Sequence, residues 1–343
     1  PGLLKPADFA AIMQGIQEYF NISEDAEIAI ELDPRGVDEA RIATYAKHGV
    51  NRVSLGVQDF NEKTLTAINR QQPYHLTYEA VKLLREYDIN EINIDLLYGL
   101  PHQNELQMRD TIEQALTLNP SRIALFGYAH VPWMKKHMRL IDEHSLPDKA
   151  LRYDLFETGA KLLMDAGYAP VGIDHFAKPK DSMAIALSEG TLRRNFQGYT
   201  TDRCDVMLGL GVSSIGKLPG GYMQNAPDMP QYEKSILAGI LPVRKLCPIS
   251  SEDEIYSAVI EQIMCYLRVD LRIICNNYAL ESDYFGDILS GLRMYEEKGI
   301  ITIVDHTIIV NPKTRALARL VAAAFDQYRA TDSGTANRHS KVV

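Results

Sequence analysis

The sequence predicts an α/β fold in which short parallel strands alternate with helices, and three observations carry that expectation. First, four segments share one plan: EIAIELDP (27–34), RVSLGVQDF (52–60), EINIDLLYGLP (91–101) and RIALFGYAH (122–130) are short, apolar and rich in Ile, Val or Leu, and each turns polar or glycine-bearing at its C-terminal end. Second, helical patterns fill the intervals, at roughly 30–40 residues per strand–helix unit, the spacing of right-handed crossovers between parallel strands. Third, the strands read as near-continuous apolar runs, as strands covered on both faces do. A doubly wound open sheet and a (β/α) barrel, or part of one, both satisfy this pattern. In either, ligands bind at the C-terminal ends of the strands.

The first helix of the alternation is expected over 37–48, with Gly49 after Lys47 and His48 as its stop. Helices over 61–69, 77–87 and 104–118 follow, with Asn61, Thr77 and Asn104 as N-caps. A further helix over 148–165 precedes two strands, YAPVGIDHFA (168–177) and DVMLGLGVSSIG (205–216), with the polar and aromatic segment GTLRRNFQGYTT (190–201) between them. From about 250 the pattern is helical, over 252–267 and 283–297. GIITIVDHTIIVNP (299–312) reads as a hairpin turning on Asp305 and His306, followed by a helix over 312–328. Helices followed by a small hairpin suggest a winged-helix-like module. The polar end, 331–343, reads as a mobile tail or a lid. The division expected from these patterns is 1–245 for the α/β part with its strand extension and 246–343 for a mainly helical C-terminal domain.

Composition is that of an ordinary globular protein, 46% apolar and 24% charged. No apolar run approaches the roughly 20 residues of a membrane span, and no signal peptide opens the chain, so a cytoplasmic protein is expected. A net charge of −9 argues against broad binding to nucleic acid or anionic lipid, while leaving room for a local basic pocket. Cys204, Cys247, Cys265 and Cys275 make no C-x₂-C or C-x₃-C pair, and reduced thiols are expected. The opening PGLLKP reads as a piece that begins after something else has ended.

The strand ends carry the candidate site. Glu31 closes an apolar run before Pro34 and is either an ordinary exposed end or a ligand contact. Gln58 and Asp59 end the second strand and are expected to face a ligand. Asp95 sits inside INIDLLYG, where burial is costly unless the carboxylate is hydrogen-bonded or faces a cavity. Arg70 either complements a helix C-terminus or returns over the strand ends. Tyr128, His130 and Trp133 follow the fourth strand, where a lone His is more often structural. No Ser–His–Asp, H-E-x-x-H or Walker pattern accompanies them. Such residues suit recognition of a polar cofactor with hydroxyls and amines, the cofactor doing the hard chemistry.

IELDP, RVSLGVQDF, AINR, INIDLLYGLP, FGYAHVPWMKKH, GIDHFA, RNFQGYTT and GLGVSSI, in this order and spacing, resemble the oxygen-independent coproporphyrinogen III oxidases, radical S-adenosylmethionine enzymes of haem (porphyrin) biosynthesis. The resemblance covers essentially the whole chain and implies a partial radical SAM barrel, with its first strands missing, plus the helical domain. It implies that Glu31, with the backbone around Ile215, binds the catalytic S-adenosylmethionine. Gln58, Arg70, Asp95 and Ala129 match positions holding a second S-adenosylmethionine, and Phe196 and Gln197 match residues lining the active site. Arg194, beside NFQGYTT, is the first candidate for the substrate's carboxylates, with a surface salt bridge as the alternative. The implied chemistry is the conversion of two propionates of coproporphyrinogen III to vinyl groups, giving protoporphyrinogen IX. The C-x-x-x-C-x-x-C loop that holds the family's [4Fe–4S] cluster is not in the chain, so an inactive fragment of a longer enzyme is expected. Arg193 stands where the family more usually has His. An electron donor and an electron acceptor are implied, with a monomer expected. A haem-binding chaperone relative and a non-catalytic porphyrin-binding fragment are the alternatives.

Overall fold

A computed structural model describes residue 2 and residues 4–328; the tail read as a mobile end or lid lies outside the described residues. The chain divides into two units, one running to Glu189 and one beginning at Gly190.

The first unit begins with α1 (Pro6–Tyr19), which the sequence reading passed over. Strand–helix alternation follows: β1 (Ala29–Leu32), α2 (Glu39–Lys47), β2 (Arg52–Gln58), α3 (Glu62–Ala67), α4 (Tyr74–Glu86), β3 (Glu91–Tyr98), α5 (Glu105–Thr117), β4 (Arg122–Gly127) and α6 (Lys149–Asp165). Side-chain caps set several helix starts: Asn61 accepts from Thr64 N, Asn104 from Gln107 N and Asp148 from Leu151 N. Thr77 is not a cap. α4 begins three residues earlier, after Pro73, and Thr77 is buried inside it, where its hydroxyl meets the Gln72 amide. Gly49 ends α2 in the left-handed region at φ +82°, as read from the sequence.

β1 to β4 pair in parallel and in chain order. YAPVGIDHFA, expected as one strand, is a hairpin. Gly172, at φ +56°, breaks it into β5 (Ala169–Val171) and β6 (His175–Ala177), and β6 pairs antiparallel with β4. The sheet is therefore six-stranded and mixed, in the order β1-β2-β3-β4-β6-β5. One face is sealed: Val53, Leu55 and Val57 of β2 and Ile92, Ile94 and Leu96 of β3 are buried. The alternate residues are half-buried, and the candidate site lies on their face.

The last helix of this unit, α7 (Ser182–Ser188), is capped by Asp181, whose buried carboxylate also binds Arg122 Nε at 2.7 Å and Arg52 Nη1 at 3.3 Å. These arginines open β4 and β2, so the pair ties the N-terminal ends of the strands to α7. Removing one partner of such a buried pair costs about 3–5 kcal/mol.

The second unit holds β7 (Arg193–Asn195), β8 (Gly198–Thr200), β9 (Ile215–Leu218), β10 (Gly221–Asn225), α8 (Met229–Leu237) and β11 (Val243–Pro248). It continues through α9 (Ser251–Tyr266), β12 (Arg268–Asp270), α10 (Leu271–Asn277), α11 (Gly286–Glu297), β13 (Ile301–Val304), β14 (Thr307–Val310) and α12 (Ala318–Ala322). The strand expected over 205–216 is reduced to a bridge at Met207 and the first residues of β9, because Gly209 and Gly211 interrupt it, the latter at φ +103°. β9, β10 and β11 form their own antiparallel sheet. That separate pairing explains why the unit boundary falls at Gly190 and not near 245.

The C-terminal hairpin turns on Asp305 and His306, at φ +46° and +66°, the turn read from the sequence. β12 joins it in a three-stranded sheet beside the helices, a winged-helix-like arrangement. The helix expected over 312–328 is broken into 3-10 turns at Pro312–Leu317 and Ala323–Phe325 around α12.

Candidate functional site

The half-buried face of the first unit's sheet presents ordered rows of side chains. Register aligns Glu31, Ser54, Asn93 and Arg122 in one row, and Gly56, Asp95, Ala124 and His175 in the next. Asp95 is therefore not at a strand end but in the middle of β3, one step below Gln58.

Its carboxylate is held by two neighbours on the same face. Ser54 Oγ donates to Oδ2 at 2.9 Å, Asn93 Nδ2 donates to Oδ1 at 2.7 Å, and Asn93 Nδ2 also donates to Ser54 Oγ at 2.8 Å. Burial pushes the Asp95 carboxyl above the usual range. The bonds from Ser54 and Asn93 and the nearby His175 oppose that rise, and Glu31 adds to it. His175 shares the Asp95 row and Glu31 lies one row below, so register places all three on one patch. His175 Nδ1 is in turn 2.8 Å from Asp174 Oδ1, and the Phe126 ring stands edge-on to the imidazole at 5.3 Å.

At the carboxyl end of β2 the pairing slips between Gly56 and Gln58, and Gln58 adopts φ +75°. That conformation is uncommon and costly for a side chain with a Cβ, and such strain is found at functional sites. Gln58 folds back over Gly56, where a Cβ would stand 3.1 Å from Gln58 Nε2 and 3.8 Å from Arg70 Nη2. Arg70 does return over the strand ends. Its guanidinium bonds the Gly56 carbonyl, lies 3.2 Å from Asp33 Oδ2, and donates from Nε to Gln72 Oε1 at 3.0 Å. Ala129 follows β4 by two residues, half-buried at the same end of the sheet.

Asp59 does not face a ligand. It is 1% exposed and accepts from Phe60 N at 2.6 Å, Asn61 N at 2.9 Å, Gln103 Nε2 at 2.7 Å and Thr111 Oγ1 at 2.5 Å. One residue beyond Gln58 the chain has turned, and this carboxylate locks the ends of β2 and β3 to α5. His130 is also held, between Tyr128 Oη and Glu143 Oε1, each at 3.2 Å. Trp133 is exposed.

In the second unit, Phe196 and Gln197 form the exposed tip of the β7–β8 hairpin. Asn195 Oδ1 shapes the tip by accepting from Gln197 N and Gly198 N, and Phe196 lies edge-on to Tyr222 at 6.4 Å. Arg193 is tied to Glu261 at 3.2 Å, whereas the exposed Arg194 holds its guanidinium 5.6 Å over the Tyr199 ring. Ile215 opens β9, its backbone packed so closely on Gly209 that a Cβ there would stand 2.7 Å from the Ile215 carbonyl carbon.

Ser54, Asn93 and Asp33 are site residues that sequence reasoning missed. The period-two spacing of Asn93 and Asp95 in INID was the available signal for Asn93. Ser54 shows only through register, and Asp33 only through its bond to Arg70.

A sheet of parallel strands with a polar inner row is shared by several classes, and comparison settles which. Residues 2–115 match the Radical SAM superfamily, so the first unit is of the radical SAM class. Beyond that, the chain is 42% identical over 343 residues to the oxygen-independent coproporphyrinogen III oxidase of Bradyrhizobium diazoefficiens, covering 100% of this chain and 76% of that protein. It is 39% identical over 333 residues to the enzyme of that name from Cereibacter sphaeroides, covering 97% of this chain and 74% of the relative. The solved coproporphyrinogen III oxidase (HemN) of Escherichia coli, described as a radical SAM enzyme, superposes with a TM-score of 0.90 at 34% identity over 96% of this chain and 76% of its own. The chain belongs to the oxygen-independent coproporphyrinogen III oxidase family.

The radical SAM class implies S-adenosylmethionine and a [4Fe–4S] cluster. The donor set on the inner face fits the first: carboxylates, an amide and an arginine beside glycine suit an amine, hydroxyls and a carboxylate. The cysteines present do not fit the second. Cys204 and Cys247 are exposed, Cys265 and Cys275 are buried, and burial pushes the Cys265 thiol up to about 12. Among the described residues no group of three or more His, Cys, Asp or Glu is placed to hold a metal ion. Nor is any described helix long and apolar enough to cross a membrane.

Proposed function

We propose that this chain acts in the oxygen-independent oxidative decarboxylation of coproporphyrinogen III to protoporphyrinogen IX, in haem biosynthesis, with S-adenosylmethionine as cofactor. The observation that carries the assignment is the extent of the match. Identity to the oxidases runs through both units, residue 1 to residue 343, and not merely through residues 2–115 shared with the superfamily at large.

S-adenosylmethionine, when bound, supplies the radical chemistry of this class. The chain's own residues do the holding. Glu31 and Asp95 accept from amine and hydroxyl groups, and Gln58 and Ala129 line the same end of the sheet. Arg70, oriented by Asp33 and the Gly56 carbonyl, donates to the cofactor through the N–H groups that these partners leave over. By analogy with the family, Glu31 serves one S-adenosylmethionine and Gln58, Arg70, Asp95 and Ala129 serve a second. In the second unit Phe196 and Gln197 are proposed to line the active site. Arg194 is the cation proposed for a substrate propionate, because Arg193 is committed to Glu261. The oxidation requires an electron acceptor, and the reductive cleavage of S-adenosylmethionine would require an electron donor.

The test is anaerobic turnover by the full-length, cluster-reconstituted protein, with porphyrins separated by chromatography. Conversion of coproporphyrinogen III to protoporphyrinogen IX that depends on S-adenosylmethionine is expected, with Gln197→Ala greatly slowed. Unchanged coproporphyrinogen together with tight, stoichiometric haem binding would overturn the assignment in favour of a haem-carrying relative.

A further inference from the structure

The mid-strand position of Asp95 leaves a question that the family resemblance does not answer. A carboxylate in the middle of an otherwise apolar strand has two oxygens, and the plane it adopts decides what it can bind. Here each oxygen is engaged by a different residue. Ser54, from β2, takes Oδ2, and Asn93, two residues back on β3, takes Oδ1. Asn93 Nδ2 also bonds Ser54 Oγ, so the three groups close a triangle of hydrogen bonds with sides of 2.9, 2.7 and 2.8 Å.

Three features make this more than ordinary satisfaction of polar groups. Sequence and register both put the three on one face: Ser54 pairs with Asn93, and Asp95 lies one row above beside Gly56, which carries no side chain to obstruct it. Asn93 Oδ1 is buried and has no hydrogen-bond partner among the described residues, so the amide is oriented for its donor and not for its acceptor. Nor, among the described residues, does an arginine pair with Asp95. Arg122, in Asn93's row, is committed to Asp181, and Arg70 to Asp33 and the Gly56 carbonyl. Each carboxylate oxygen accepts one bond from the pair and retains capacity for a second.

We propose that Ser54 and Asn93 are positioning residues of the cofactor site: they fix the plane of the Asp95 carboxylate and stabilise its charged form, so that its remaining lone pairs meet the donors of S-adenosylmethionine in one orientation. The proposal rests on the reading that Asp95 contacts that cofactor. The titratable groups facing Asp95 are Glu31 on β1 and His175 on β6, the latter bonded to Asp174. Burial raises the Asp95 carboxyl, and the two hydrogen bonds pull it back, so their removal moves its titration to higher pH.

The experiment is calorimetric titration of the full-length, anaerobically reconstituted protein with S-adenosylmethionine across pH, for wild type, Ser54→Ala, Ser54→Thr, Asn93→Leu and Asp95→Asn. Affinity in Ser54→Ala and Asn93→Leu is expected to fall about three- to tenfold at neutral pH, the loss of one hydrogen bond to Asp95 in each. The acid limb of their affinity–pH profile moves to higher pH, and Ser54→Thr, which keeps the hydroxyl, restores the wild-type profile. Weaker binding with the limb unmoved would reduce the pair to a structural role and overturn the proposal, as would unchanged affinity. If Asp95→Asn itself keeps the wild-type affinity and acid limb, the underlying reading fails instead, because Asp95 then does not contact the cofactor.

Discussion

Asp59→Ala separates two roles that adjacent residues at the end of β2 could have. The carboxylate accepts four hydrogen bonds, three at Oδ1 from Phe60 N, Asn61 N and Thr111 Oγ1 and one at Oδ2 from Gln103 Nε2. Alanine removes all four acceptor interactions at once. Gln103 Nε2 keeps the Leu97 carbonyl at 2.8 Å, and the Thr111 hydroxyl can rotate, so these two donors recover part of their loss. The backbone amides of Phe60 and Asn61 are left in a buried corner, at about 1–3 kcal/mol each. Relief of the buried charge offsets some of this, because burial raises the Asp59 carboxyl against the pull of its hydrogen bonds. The net expectation is a loss of about 3 kcal/mol. For a unit of this size that lowers the melting midpoint by roughly 6–12 °C. The assay is thermal melting by circular dichroism, paired with S-adenosylmethionine titration of the full-length reconstituted protein below the melting range. A large drop in midpoint with near-normal affinity is expected. An unchanged midpoint with lost affinity would show that Asp59 faces the ligand and that its buried bonding has been misread.

Asp95→Ala should do the reverse. S-adenosylmethionine affinity falls about ten- to a hundredfold, the value of one charge-assisted hydrogen bond. The melting midpoint moves little, because Ser54 and Asn93 remain bonded to each other at 2.8 Å; equal affinity in a calorimetric titration counts against the site. Asp33 carries an acid-stability prediction. Burial works to raise its carboxyl, but hydrogen bonds from Arg35 and the charges of Arg70 and Arg35 outweigh this and hold it below the ordinary range. A depressed folded value means that its contribution is complete above the unfolded value of about 3.9 and is lost as pH falls through the folded one. Wild type should therefore lose more stability than Asp33→Asn between about pH 5 and pH 2, and parallel acid-melting curves for the two proteins would refute the assignment.

The sequence by itself determined the strand–helix alternation of the first unit, because that signal is local. Each strand is a run of apolar residues that must be covered, and several helix starts carry a side chain, such as Asn61 or Asn104, that accepts from an amide three residues ahead. The Asp305–His306 turn was legible for the same reason. So was the resemblance, carried by ordered motifs along the chain. Tertiary structure decided what depends on residues far apart in sequence. From the sequence, Arg70 was able to serve either the site or a helix end, and Asp59 was expected to face a ligand. Only the return of the chain after α3 brought Arg70 over Gly56, and only the approach of Thr111 and Gln103 sealed Asp59 in the interior. The hairpin at Gly172 was invisible because a left-handed glycine in an apolar run gives no periodic signal. Thr77 misled because a threonine before a helical pattern reads as a cap, whereas Pro73 had already set the helix start one turn earlier. Asp95 could be singled out from its apolar neighbours, since a lone carboxylate there demands an explanation. Its partners could not be, because Ser54 reaches it only through the parallel register of β2 and β3, a long-range pairing that no local pattern encodes.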